Sequence, residues 1–98
     1  MELRIQSINF EATEQLKAFI DKKVNKLAKF NETIMQAEVV LKVVKPETSN
    51  NKEASVKLNL RHGEAFANKI ADSFEEAVDE CLEALEKQII KTKEKNAR

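Results

Sequence analysis

Residues 54–76 read ASVKLNLRHGEAFANKIADSFEE, and the fold turns on how this run divides. Ala54, Val56, Leu58 and Leu60 alternate with Ser55, Lys57, Asn59 and Arg61. A period of two puts the apolar set on one face of a strand and the polar set on the other. His62-Gly63 is a tight-turn signal. From Glu64 to Ala71 the alternation resumes, with Phe66 and Ile70 on one face and the small Ala65 and Ala67 on the other. Ser73 followed three residues later by Glu76 is a capping box, so a helix starts here.

Working outward, Phe74, Ala77, Val78, Cys81, Leu82, Leu85 and Ile89 form one helical stripe, and this helix is expected to reach about Lys95. Upstream, residues 35–45 are rich in β-branched side chains and read as a long strand that Pro46 stops. The polar residues 46–52 read as a mobile hairpin loop. Three strands joined by short polar turns make an antiparallel meander. At the start of the chain, residues 2–8 read as a short strand with Leu3 and Ile5 on one face. Thr13 reads as an N-cap, with Glu14 in the first turn, where a carboxylate suits the helix dipole. Leu16, Phe19, Ile20, Val24, Leu27 and Phe30 then form one stripe, with Asn31 as the C-cap. The order is β-α-β-β-β-α. Each helix has one apolar stripe, so both are expected on one face of a four-stranded sheet, an α+β fold in two layers. Residues 1–95 are expected to form a single domain, with 96–98 a short flexible tail.

Composition narrows the function. The 98 residues hold 17 basic and 17 acidic side chains, one Gly, one Pro, one Cys and one His. No apolar run approaches the ~18 residues of a membrane span, and no signal-peptide pattern opens the chain. One cysteine makes no internal disulfide, so the cytoplasm is the expected compartment. One His and one Cys are too few for a typical structural zinc site, and a single glycine forbids a GxGxxG or Walker loop. No cofactor is expected. Cys81 lies in an apolar stripe and reads as a core thiol, since reactive thiols need electropositive exposure. His62 reads as a turn residue. The pairs Glu75/Asp79 and Glu76/Glu80 read as a solvated face, and no catalytic set is visible.

The net charge of zero is a sum over an uneven distribution. Lys22, Lys26 and Lys29 fall at i, i+4 and i+7, lining one edge of the first helix. Lys23 lies inside the apolar stripe by angle. Its stem is expected to pack while its ammonium snorkels past the sheet edge. In the second helix, residues 72–86 hold seven acids and no base, whereas residues 87–98 hold five bases and one acid. Acids first and bases last is also what the macrodipole favours. With the helices side by side and roughly parallel, Lys22, Lys26 and Lys29 would join Lys87, Lys91 and Lys95 in one basic band. Such a band suits the phosphate backbone of structured RNA, bound by shape rather than by base readout. The few aromatics fall mostly in apolar stripes, against a single-strand stacking platform. A second reading stays open on the residues alone: a small protein-interaction module in which the lysines are merely solvated and the sheet edge or Ile90 recruits a partner.

Several stretches together carry a family resemblance: MELRIQS at 1–7, TEQLKAFIDKKVNKL at 13–27, EVVLKVVK at 38–45, FEEAVD at 74–79 and LEKQIIKTK at 85–93. In order and spacing they resemble the ribosome hibernation-promoting factors, also called ribosome-associated inhibitor A proteins, over nearly the whole chain. The resemblance implies a β-α-β-β-β-α domain related in shape to double-stranded-RNA-binding folds. It implies binding between head and body of the small ribosomal subunit, across the paths of messenger and transfer RNA in the decoding region. Translation would be silenced there by steric exclusion, under stress or in stationary phase, with no catalytic residue. By matching position, Lys22, Lys23, Lys26, Lys29, Lys87, Lys91 and Lys93 would contact ribosomal RNA, and Lys95 extends the same run. The length matches the short form, expected to be monomeric when free and to bind neither DNA nor membrane. The sequence departs from the family pattern at Ala84, where a basic residue is usual, and in the six acids between Glu75 and Glu86.

Overall fold

The computed structural model describes residues 2–44, 51–61 and 63–96, the last six of them by backbone alone. Six elements follow in the expected order: β1 (Glu2–Ile8), α1 (Glu14–Lys29), β2 (Ile34–Val43), β3 (Lys52–Leu60), β4 (Gly63–Ala71) and α2 (Phe74–Asn96). The sheet order is β1-β2-β3-β4. Strands β2, β3 and β4 are the expected antiparallel meander. Strand β1 runs parallel to β2, with Leu3 beside Ala37 and Ile5 beside Val39. A parallel pair needs a crossover, and α1 is that crossover. The loop expected at 46–52 falls largely outside the described residues, as do His62 and residues 97–98 of the expected tail.

Local chemistry sets the helix ends. Asn9 takes the left-handed conformation (φ 69°) between β1 and α1, which asparagine tolerates better than most residues. Thr13 Oγ1 accepts from the Leu16 amide at 3.1 Å, and Ser73 Oγ accepts from the Glu76 amide at 3.1 Å. Both expected N-caps are formed. At the other end of α1 the C-cap is Phe30, not Asn31. Asn31 follows the cap and is buried, and its Nδ2 donates to the Leu27 carbonyl at 2.8 Å. It satisfies a helix-end acceptor through its side chain. Phe30, expected in the apolar stripe, is 69% exposed, because the chain leaves the helix there.

The core is one layer between the helices and one sheet face. Leu16, Ile20 and Val24 of α1 meet Ala37, Val39 and Leu41 of β2 and Ala54, Val56 and Leu58 of β3. Helix α2 contributes its whole expected stripe, from Phe74 to Ile89. Strand β4 turns its small side chains inward: Ala65, Ala67 and Ala71 are buried, while Phe66 and Ile70 lie 56% and 48% exposed on the open face. The alternation by itself does not say which of these two faces turns inward. The physical reason is close approach. Cys81 Sγ lies 3.3 Å from the Ala54 carbonyl and 3.7 Å from that of Ala67, and larger inward residues would hold α2 off the sheet. Gln88 ties the same helix to the strand by donating to the Phe66 carbonyl at 3.0 Å. The open face carries a polar network instead, with Asn59 donating to Gln36 and Asn68 donating to Ser55 and Glu53.

Burial also decides the state of the thiol. Cys81 is fully enclosed, and desolvation pushes its pKa from 9.0 up to about 11. This is the expected core thiol, with the opposite of the environment a nucleophile needs. Two measurements follow. Leu85→Ala, at a fully buried position, is expected to lower unfolding free energy by about 2–5 kcal/mol in urea titrations. Stability should fall as pH rises from 9 towards 11, because there the unfolded thiol ionises and the folded one does not. Cys81→Ala should flatten that limb of the pH profile.

Candidate nucleic-acid interface

The two helices lie side by side and run the same way. Phe10, just before α1, stacks on Phe74 at the start of α2, with ring centroids 4.5 Å apart. Further along, Lys23 Nζ sits 3.5 Å from Asp79 Oδ1. Beyond that, Phe30 and Asn31 share a groove with Glu83 and Glu86. The last ten residues of α2 therefore continue past the end of α1, by about 15 Å at the helical rise.

Lys22, Lys26 and Lys29 are exposed on α1, as expected from their spacing. Lys23 is half-buried and does not pass the sheet edge. It reaches across to α2, its ammonium 5.5 Å from the Phe19 ring centroid and paired with Asp79. Its angle within the stripe is explained by this contact between helices: the stem covers an aromatic ring while the charge finds a carboxylate. Lys87 is exposed on the other flank of α2. There it lines a depression with Lys69, Glu80, Glu83 and Ala84. Lys91, Lys93 and Lys95 belong to the last two turns of α2, and their side chains lie outside the described residues.

The expected continuous band is thus divided. Between the α1 lysines and Lys87 runs a strip of acids, Asp79, Glu83 and Glu86, along the wall of the groove. Across the groove, among the described residues, Lys23 and Asp79 cancel by direct contact. Lys22, Lys26 and Lys29 form one basic edge, while Lys87 and Lys69 on the other flank share their depression with Glu80 and Glu83. Lys69 escapes a sequence reading. It has the inward parity of Ala65, Ala67 and Ala71, yet it is exposed because β4 is an edge strand. Only the packing of α2 on β4 brings it beside Lys87. Among the described residues no His, Cys, Asp or Glu cluster could hold a metal ion, and no helix is long and apolar enough to cross a membrane.

The helix pair thus presents exposed lysines at fixed spacing on one side of the molecule, backed by a packed sheet. Comparison with solved structures shows the same fold in two proteins. A ribosomal subunit interface protein from Coxiella burnetii superposes with a TM-score of 0.82 at 18% identity, over 95% of this chain and 98% of that one. The N-terminal domain of Thermus thermophilus Protein Y gives 0.76 at 21% identity, over 91% and 96%. Among curated proteins, the ribosome hibernation promoting factor of Escherichia coli K12 is 34% identical over 95 residues, 97% of this chain and 96% of that protein. Its counterpart from Klebsiella oxytoca is 32% identical over the same span. The family model described as sigma 54 modulation protein / S30EA ribosomal protein matches residues 3–97. With that match and those relatives, the chain belongs to the sigma 54 modulation protein / S30EA ribosomal protein family.

Proposed function

We propose that this protein is a ribosome hibernation factor. It binds the small ribosomal subunit near the decoding region, excludes messenger and transfer RNA, and silences translation in stressed or stationary-phase cells. The observation that carries the reading is the exposed lysine edge of α1, Lys22, Lys26 and Lys29, on a chain related end to end to hibernation promoting factors. Lys87 and the lysines of the α2 extension, Lys91, Lys93 and Lys95, supply a second set of phosphate contacts. Lys23 acts through the helix pair, since its charge is already engaged by Asp79.

The mechanism is occupation. A folded domain lodged where two RNA ligands must pass inhibits both without breaking a bond. The protein requires no cofactor for this and works in the cytoplasm as a monomer until it meets a ribosome. The lysine contacts give affinity and orientation, and the shape of the two-helix face selects structured RNA over a flexible strand. The zero net charge has a consequence. Long-range attraction is weak, so complementarity at contact must supply the selectivity.

Cosedimentation with vacant ribosomes tests this. The wild-type protein is expected in the small-subunit fraction, with affinity falling ~500-fold between 50 and 200 mM salt for about five phosphate contacts. Lys22→Glu with Lys26→Glu should weaken binding about tenfold or more while the thermal midpoint stays within ~2 °C, since both side chains are exposed. Equal affinity of the double variant and the wild type would remove α1 from the interface.

A further inference from the structure

The groove between the helices has a chemistry the lysine edges do not share. Its volume is about 410 Å3, within the ~300–1,000 Å3 of clefts that hold ligands. Leu27 and Leu82 give it an apolar floor, Phe30 stands 69% exposed at its end, and Glu83 and Glu86 form one wall. Lys23 and Asp79 neutralise one another. That leaves Lys26 against two carboxylates, so the lining is net negative. The helix dipole accounts for Glu75 and Glu76 in the first turn of α2. It does not account for Glu83 and Glu86, because its effect fades within that turn.

A phosphate backbone lying on this wall would meet two carboxylates in a surface otherwise built to bind anions. A basic polypeptide meets the opposite: carboxylates for its ammonium or guanidinium groups, and an apolar floor for the stems and for one hydrophobic side chain. We propose that the interhelical groove docks a lysine- or arginine-rich protein segment of the ribosome, while the flanking lysines hold RNA. This rests on the hibernation-factor reading and deepens it. The interface is then two-part, and Glu83 and Glu86 are contacts rather than an obstacle to binding. Like-charge exclusion also works in favour of register: the α1 lysines repel the basic segment as the α2 acids repel RNA, so each partner fits in one position.

The experiment uses the full chain and purified vacant ribosomes. Glu83→Gln with Glu86→Gln removes the wall charge and keeps side-chain length on an exposed helix face. The proposal predicts affinity lower by about fivefold or more, with the thermal midpoint unchanged. Unchanged or tighter binding would overturn it, since loss of negative charge can only help contact with RNA. In parallel, photoreactive benzoylphenylalanine is placed at position 30. An adduct that resists ribonuclease, yields to protease and maps to a basic segment of a ribosomal protein supports the proposal. A ribonuclease-sensitive adduct, or none at all while binding persists, overturns it. Should the wild-type protein itself fail to cosediment, the hibernation-factor reading falls, and the groove assignment falls with it.

Discussion

The structure depends on one-sided burial of a four-stranded sheet. A sheet face with no helix on it cannot hide its apolar residues, and this chain buries only one such face. Both helices must therefore reach the same side. For α2 this follows from its apolar stripe, Phe74 to Ile89, which packs on the face that carries Ala54, Val56 and Ala67. For α1 it follows from the parallel pairing of β1 with β2, because a crossover between parallel strands has one strongly preferred hand. Placing both helices on one side aligns their first turns, stacks Phe10 on Phe74, and brings Lys23 to Asp79. The two-helix face is thus a product of core formation, and the surface proposed to bind the ribosome is the outer side of the elements that close the core.

The open sheet face is treated differently. Asn59, Gln36, Asn68, Ser55 and Glu53 satisfy one another across the strands, and Lys57 pairs with Glu64 at 3.3 Å. Such exposed pairs contribute little to stability, of order 0–1 kcal/mol each. They saturate polar groups that an RNA or protein partner would otherwise have to engage. The helix face leaves the α1 lysines and the groove acids outward, so the two sides of the molecule differ in available chemistry as well as in shape.

Much of this was legible in the sequence because it is local. Alternation over 54–71, the caps at Thr13 and Ser73 and the two helical stripes are set by neighbours within a few positions. What escaped was relational. Phe66 and Ile70 are as good a strand face as Ala65 and Ala67, and only the approach of Cys81 to the sheet carbonyls decides that the alanines go inside. The angle of Lys23 was readable but its partner was not, since Asp79 lies 56 residues later. The lysine band was expected to be continuous because helix angles were read one helix at a time. The acids that divide it occupy the flank of α2 that turns towards α1, a fact of packing alone. Phe30 and Asn31 exchanged their expected roles because a helix end is fixed by which carbonyl finds a donor, not by residue type.

The central claim is that the α1–α2 face, rather than the open sheet, meets the ribosome. A cryo-electron-microscopy structure of the protein bound to vacant ribosomes tests it most directly. The account predicts a density between head and body of the small subunit, with Lys22, Lys26 and Lys29 against ribosomal RNA and Asn59 and Asn68 facing away from it. A complex in which the open sheet forms the contact, or in which the domain sits away from the decoding region, would contradict it.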